Sequence, residues 1–157
     1  MDHAYRATIR WERGDAVFTD GRYSRGHVWA FDGLEIPGSS SPLSVRVPLS
    51  RADAVDPEEA LVAALSSCHM LFFLDFARRA GFTVDRYADP AVGEMAPNAD
   101  GKLYVGRVTL SPAVTFSGAL VPDAEAFHAL HHRAHEECYI GHSLRAEVVI
   151  APTFTLT

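Results

Sequence analysis

The chain has 157 residues, with 48% hydrophobic and 22% charged residues, which suits a single globular domain spanning 1–157. Its formal net charge of −6, without any run rich in Lys or Arg, argues against nucleic acid or an anionic membrane as the main partner. The start, MDHAYRATIRW, lacks the apolar core of a secretory signal, and the run MLFFL is too short to cross a bilayer. We therefore expect a cytoplasmic protein.

The N-terminal third contains short alternating segments. YRATIRW, HVWAF and LSVRVPL predict strands, and the Gly-, Asp- and Ser-rich segments ERGD, TDGR and IPGSSSP predict the turns between them.

The segment DPEEALVAALSSCHMLFFLDFARRAG predicts one long helix. Asp56 suits the N-cap, Pro57 suits the first helical position, and Gly81 is a typical stop. The helix is apolar nearly all round between Ala60 and Phe76, which is typical of a helix buried on all sides. One small domain can hardly cover about 36 Å of such a helix. A second copy of the same helix is the simplest cover, so the pattern favours a dimer with a helix-rich centre.

The rest of the chain alternates again. FTVDRYA and AVGEMA predict strands, NADG predicts a hairpin turn, and KLYVGRVTLSPAVTF predicts a long strand. A second helix is expected from about Asp123 to Cys138, and RAEVVIAPTFTL is the last predicted strand. The predicted fold class is α+β, with antiparallel strands and two helices.

The chain has 2 cysteines, Cys68 and Cys138. An isolated cysteine in an apolar helix is most often an inert core thiol. However, the polar neighbours Ser66, Ser67 and His69 interrupt the apolar helix, and such interruptions tend to mark function. In a reducing cytosol the two cysteines are either core thiols or a redox couple.

Cys138 lies at the end of the predicted second helix. It shares one helix face with Phe127, Leu130, His131 and Ala134, so it is expected to point inward. Two inward thiols on separate helices are able to form a disulfide, but the sequence alone leaves open whether they meet.

The segment DPEEALVAALSSCHM, followed about 70 residues later by AHEECYIGHSL, resembles the OsmC-like/organic hydroperoxide resistance (Ohr) family. The resemblance covers nearly the whole chain, and the motifs YSRGH and SSCHM are similar to a branch other than the best-known members. It implies an OsmC-like fold: antiparallel sheets, a long buried central helix, a second helix and an intertwined dimer. It also implies a thiol-dependent peroxidase of organic hydroperoxides in oxidative-stress defence, which needs a dithiol reductant and no cofactor.

The same resemblance implies the roles of individual residues. Cys68 matches the peroxidatic cysteine and Cys138 the resolving cysteine. In the family, an arginine held by the glutamate at the helix start activates the thiolate. Glu58 matches that glutamate, and Arg25 in YSRGH is the first choice for the arginine. The alternatives are Arg22 and Arg46.

Other side chains are candidates for binding an apolar substrate, since aromatic residues surround the expected pocket. They are His27, His69, Phe72 and Tyr139, and His142 is a further candidate for the active site. His69 is equally well explained as a core histidine.

Glu58 lies about 15 Å along the helix axis from Cys68, so the two cannot serve one site on one straight helix. We therefore expect a composite site, in which Glu58 of one chain approaches Cys68 of a second copy.

Two alternatives remain open. Five residues of the second helix have spacings compatible with a metal site, although no CxxC or HExxH pattern accompanies them and we predict no metal ligand; they are His128, His131, His132, His135 and Cys138. The fold is also compatible with a non-catalytic module that binds a small apolar ligand.

Overall fold

The computed structural model describes residues 3–157. The chain divides into two compact units: unit 1 ends at Ala60, and unit 2 covers Leu61–Thr157. The boundary falls inside the first long helix, so the two units are described one after the other. The expectation of a single domain over 1–157 stays a prediction.

Unit 1 contains one antiparallel sheet with the order β1-β2-β3. Its strands are β1 (Thr8–Arg10), β2 (His27–Phe31) and β3 (Leu34–Gly38). The predicted strands in YRATIRW and HVWAF are thus confirmed, although β1 is shorter than its alternating segment.

The predicted strand LSVRVPL is wrong, because residues 43–49 form consecutive turns. Ser41 starts the first turn: its Oγ accepts a hydrogen bond from Leu43 N at 3.2 Å and its carbonyl accepts one from Val45 N at 2.9 Å. Arg46 starts the next, with its carbonyl accepting Leu49 N at 3.1 Å. These local bonds satisfy the backbone without a neighbouring strand.

Strand β3 lies partly where the sequence predicted a turn. It ends in Ile36, Pro37 and Gly38, and Pro37 pairs with Val28 of the central strand. Proline lacks a backbone N–H and is tolerated here because β3 is an edge strand of the sheet. The Pro37 carbonyl instead accepts a hydrogen bond from Val55 N at 3.0 Å.

Helix α1 covers Pro57–Arg79, which confirms the predicted helix. Asp56 Oδ1 accepts a hydrogen bond from Glu59 N at 2.8 Å, and Glu59 Oε2 accepts one from Asp56 N at 3.3 Å. This reciprocal pair is a capping box. After the last turn Gly81 adopts a φ of 84°, which favours glycine and ends the helix.

Within a single chain α1 is not buried on all sides, as expected for a helix that one small domain can hardly cover, and its coverage by a second copy stays a prediction. Only one stripe of the helix is buried, comprising Leu65, His69, Phe73, Phe76 and Ala77. By contrast, Leu71 is 61% exposed. By length and composition alone α1 is able to cross a membrane, but core helices of water-soluble proteins have the same properties.

Unit 2 contains two three-stranded sheets with the orders β4-β7-β9 and β5-β6-β8. The strands are β4 (Thr83–Ala88), β5 (Val92–Pro97), β6 (Leu103–Leu110), β7 (Ala113–Ser117), β8 (Glu147–Ile150) and β9 (Thr153–Leu156). The predicted antiparallel pairing holds for β4 with β7 and for β5 with β6, whereas β6 pairs with β8 and β7 with β9 in parallel.

Two predicted long strands are each divided at a proline. Pro112 separates β6 from β7, and Pro152 separates β8 from β9. In both cases the chain passes from one sheet of unit 2 to the other. The two crossings are linked by hydrogen bonds of 2.8 Å from Ala151 N to Leu110 O and from Thr153 N to Pro112 O.

The second helix, α2, covers Ala124–Glu137, with Asp123 as its N-cap and Cys138 as its C-cap. A short helix, α3, follows at Tyr139–His142. The inward face predicted for α2 is confirmed, because all its members are buried: Phe127, Leu130, His131, Ala134 and Cys138. This face packs with α1 and the β4-β7-β9 sheet in an aromatic core around Phe73 and Phe116.

Candidate active site

Cys68 and Cys138 come together in unit 2. Cys68 lies in the middle of α1 and is half-buried, whereas Cys138 lies between α2 and α3 and is fully buried. Cys68 packs against the buried apolar cluster that Cys138 forms with Leu65, Val108 and Leu110. Both cysteines are free. The structure thus brings together the two thiols whose proximity the sequence left open.

The Cys138 thiol is held at the start of α3. Its Sγ accepts a hydrogen bond from Gly141 N at 3.3 Å, so the thiol is the N-cap of this short helix. Burial raises the pKa of Cys138 to about 11, the Gly141 N–H opposes this change, and the neighbouring Cys68 adds to it. Cys138 is therefore a protonated thiol at neutral pH.

Phe72 and Tyr139 lie beside the cysteines in sequence and contact each other. Their rings meet edge to face, with centroids 5.1 Å apart. Tyr139 is 70% exposed. The structure therefore joins two of the four predicted substrate-binding residues in a partly exposed aromatic pair, and their role in binding stays a prediction.

His69 lies in the core of unit 2 and forms a pair with His131. Its Nε2 is 2.9 Å from His131 Nδ1, and the two rings are stacked with an interplanar angle of 5°. Both residues are at most 2% exposed. This placement agrees with the interpretation of His69 as a core histidine. The sequence placed His131 on the inward face of α2 but did not identify it as the partner.

The histidine pair is neutral at physiological pH. Burial lowers the pKa of His69 to about 4, with His135 lowering it further and Asp89 opposing the change. Burial also lowers the pKa of His131 to about 3, assisted by His69 and His128. A neutral imidazole has one donor and one acceptor nitrogen, so one ring donates to the other.

Ser66 and Asp89 form a polar link that the sequence did not reveal. Ser66 Oγ donates a hydrogen bond of 2.5 Å to Asp89 Oδ2, and Asp89 Oδ1 accepts one of 2.7 Å from Ser111 N. Asp89 thus connects α1, two residues before Cys68, to the crossing between β6 and β7. No local pattern around Asp89 distinguishes it from an ordinary loop carboxylate.

Arg25 lies in unit 1, where its side chain is bound to its own loop. The guanidinium donates hydrogen bonds to the carbonyls of Gly21, at 2.8 Å, and Tyr23. It also lies over the Tyr23 ring, 3.9 Å from the centroid. Within one chain these hydrogen bonds go to carbonyls rather than to Glu58, which is half-buried in the first turn of α1.

The alternative arginines, Arg22 and Arg46, are both exposed in unit 1. Arg25 differs from these two arginines in being half-buried and bonded to backbone carbonyls. The role of each in activating the thiol stays a prediction.

Both ring nitrogens of His27 are engaged within unit 1. Its Nε2 accepts a hydrogen bond of 2.6 Å from Trp29 Nε1, which requires the proton to be on Nδ1, 2.8 Å from the Arg25 carbonyl. Gly38 covers this pair: a Cβ there would clash with Trp29 and lie 2.6 Å from His27 Nε2. His27 thus supports the backbone of the Arg25 loop, and its predicted contact with substrate is untested.

Further histidines lie along the outer side of α2 and in α3. A cleft of about 490 Å³ is lined by Glu125, His128, His131, His132 and His135, together with apolar side chains. Among residues 3–157, no three His, Cys, Asp or Glu side chains are close enough to hold one metal ion. His142 is exposed, and its Nε2 is 2.6 Å from the Glu136 carbonyl.

Comparison with solved structures shows close similarity over the whole chain. An OsmC-like protein of unknown function from Vibrio cholerae is 47% identical; the match covers 96% of this chain and 99% of that one, with a TM-score of 0.94. An organic hydroperoxide resistance protein from Elizabethkingia anophelis is 15% identical, with complete coverage of both chains and a TM-score of 0.64. One from Legionella pneumophila is 13% identical, covering 99% and 98%, with a TM-score of 0.63.

The two hydroperoxide resistance proteins share the fold with this chain, and their low identity supports nothing further. A search of the curated proteins finds no match. The family described as OsmC-like protein matches residues 50–153, a range that contains both cysteines, the capping box and α2. The chain therefore belongs to the OsmC-like family.

Proposed function

We propose that this protein is a thiol-dependent peroxidase that reduces organic hydroperoxides. The observation that carries the proposal is the packing of two free cysteines in one apolar cluster, one in α1 and one at the end of α2, in a chain of the OsmC-like family. Proteins of the same fold are named for resistance to organic hydroperoxides.

The chemistry begins at Cys68. Its thiolate attacks the distal oxygen of the hydroperoxide, the O–O bond breaks, and the organic part leaves as an alcohol after taking up a proton. Cys68 becomes a sulfenic acid. We assign this step to Cys68 rather than Cys138 because Cys138 is fully buried and its pKa is raised to about 11, so it holds little thiolate.

Cys138 completes the cycle. The Cys138 sulfur attacks the sulfur of the Cys68 sulfenic acid and a disulfide forms. The hydroxyl group of the sulfenic acid leaves and takes up the proton of the Cys138 thiol, which gives water. A dithiol reductant then restores both thiols and becomes a disulfide itself. The two cysteines already lie in one apolar cluster in the reduced state, so this step needs only a short movement.

The active unit in this proposal is a homodimer in a reducing cytoplasm. The support is the exposed apolar side of α1, including Leu71, in a helix whose other side is packed in the core. A second copy of α1 covers such a surface. It also allows Glu58 and Arg25 of one chain to serve Cys68 of the other.

Consumption of cumene hydroperoxide in the presence of a dithiol reductant tests the function. We expect turnover by the wild type and none by Cys68→Ser, with hydrogen peroxide as the comparison substrate. Lys102→Ala, exposed in the turn between β5 and β6, is the control variant and should turn over the hydroperoxide like the wild type. No consumption by the wild type would reject the proposal in favour of a binding protein.

A further inference from the structure

Two links join α1 to α2 at neighbouring positions. The first is the packing of Cys68 and Cys138 in one apolar cluster, and the second is the hydrogen bond between His69 Nε2 and His131 Nδ1, at 2.9 Å. On α1 the two links start from consecutive residues. On α2 they end seven residues apart, which corresponds to about 10 Å along a helix.

The position of Cys138 depends on where α2 lies on α1. Cys138 has an extended backbone conformation, with φ −69° and ψ 108°, so it directly follows the last helical residue. A small shift of α2 along or around its axis therefore moves the Cys138 thiol relative to Cys68. Whatever fixes α2 against α1 also sets the distance between the two thiols.

Most of this interface cannot fix that position with high precision. Phe73, Phe127 and Leu130 make apolar contacts, which are not directional. The histidine pair is different, because a hydrogen bond of 2.9 Å between two stacked rings restricts both distance and orientation. Breaking it leaves two polar nitrogens in the core, which is costly.

The pair also buries two ring nitrogens that make no hydrogen bond within the described part of the chain, a cost that a role in packing alone does not require. His69 Nδ1 and His131 Nε2 are buried without a hydrogen-bond partner among residues 3–157. Two apolar side chains at these positions would fill the space without any unpaired nitrogen. The geometry points to a role for the bond itself.

We propose that His69 and His131 are positioning residues, which hold α2 in the place where the Cys138 thiol meets Cys68. The inference rests on the proposed function in that it assigns a purpose to the contact between the thiols. Neither histidine takes part in the bond-breaking steps. The charged or titratable groups that act electrostatically on the pair are His135 and Asp89 for His69, and His128 for His131.

The stability of the disulfide measures this positioning without any hydroperoxide. The purified protein is equilibrated with glutathione, so that protein dithiol plus glutathione disulfide gives protein disulfide plus two glutathione thiols. The equilibrium constant reports how well the protein brings Cys68 and Cys138 together. It is measurable whether or not the protein is a peroxidase, so failure of one proposal is distinguishable from failure of the other.

Amide side chains provide matched variants, because the amide of Gln overlaps with Nε2 of histidine and that of Asn with Nδ1. At position 69, which bonds through Nε2, we expect His69→Gln to keep the equilibrium constant near that of the wild type. We expect His69→Asn to lower it about tenfold, or about 30 mV, through loss of one buried hydrogen bond.

At position 131, which bonds through Nδ1, the order is reversed. We expect His131→Asn to keep the constant and His131→Gln to lower it. If the histidines act through packing alone, the same amide residue, Asn or Gln, should give the higher equilibrium constant at both positions. That result, or four unchanged constants, would overturn the proposal.

If a variant does not fold, the double variant His69→Leu/His131→Leu replaces it, because two apolar side chains keep the interface filled. Circular dichroism establishes that it is folded. We expect its constant to be about tenfold below that of the wild type. A folded double variant with an unchanged constant would also overturn the proposal.

Discussion

Cys138 Sγ accepts a hydrogen bond from Gly141 N at 3.3 Å, and Cys68 packs against the apolar cluster that contains Cys138. Cys138 is thus fixed at the start of α3, whereas Cys68 is fixed within α1. Cys138 is buried and protonated, whereas Cys68 is half-buried, so an oxidant is expected to react first with Cys68.

The first prediction concerns the order of oxidation. Cys138→Ser should still react with one equivalent of hydroperoxide, and Cys68 should accumulate as sulfenic acid or a higher oxide, since no second thiol is present to form the disulfide. Mass spectrometry of the intact protein and its peptides measures the products. Oxidation of Cys138 in Cys68→Ser at the wild-type rate would reverse the assigned roles.

The second prediction concerns the cation that activates the thiol. Arg25→Ala should slow the reaction of Cys68 with hydroperoxide by about tenfold or more, because a thiolate is stabilised by a nearby positive charge. Stopped-flow kinetics over a range of pH measures this rate. Arg22→Ala and Arg46→Ala are the matched controls, and a loss of rate in one of them instead would identify that residue as the activating arginine.

The third prediction concerns the composite site of the dimer. Cys68→Ser and Glu58→Ala proteins, each with low activity, are mixed and allowed to exchange chains. If each site takes Cys68 from one chain and Glu58 from the other, the mixed dimer has one intact site. About a quarter of the wild-type activity should return after random exchange. A monomer in sedimentation, or exchange without recovered activity, is incompatible with a shared site.

The fourth prediction concerns stability at low pH. An unfolded histidine binds a proton near its ordinary pKa of 6.5, whereas His69 and His131 stay neutral down to pKa values of about 4 and about 3. The unfolded state therefore binds more protons in this range. The stability from the pair is complete above about pH 6.5 and decreases as the pH falls towards 4. The expected loss is roughly 2 kcal/mol per histidine between pH 6.5 and 5.

Denaturant unfolding at several pH values measures this change in the free energy of unfolding. The variant His69→Leu/His131→Leu is the control, because it lacks both groups and should show a smaller dependence on pH in the same range. Equal slopes for the wild type and the variant would show that other groups cause the acid sensitivity.

Patterns within one element allowed reliable predictions. Helix α1 has a clear cap, a proline at its start and a glycine after its end, and both helices were located from such signals. The alternating residues of β2 and β6 likewise identified strands. These signals act over a few residues, so the sequence contains them directly.

Features that depend on distant residues were missed. LSVRVPL alternates like a strand, but Ser41 and Arg46 form local turns there, and no strand among residues 3–157 pairs with it. Strand β8 pairs in parallel with β6, and β9 with β7, and both pairings depend on the crossings at Pro112 and Pro152. The His69–His131 bond joins positions 62 residues apart, and neither local sequence reveals the other.

The parallel pairing of β8 with β6 and of β9 with β7 also affects folding during synthesis. Strands β8 and β9 are edge strands that pair with β6 and β7, so residues 107–116 remain without these neighbours until residues 147–156 have been synthesised. Until then, the open edges of two apolar strands are able to pair with other chains and aggregate. A product truncated before Glu147 retains both cysteines but lacks the strands that cover these edges. Such fragments are expected to be insoluble even though they contain every residue assigned to the chemistry.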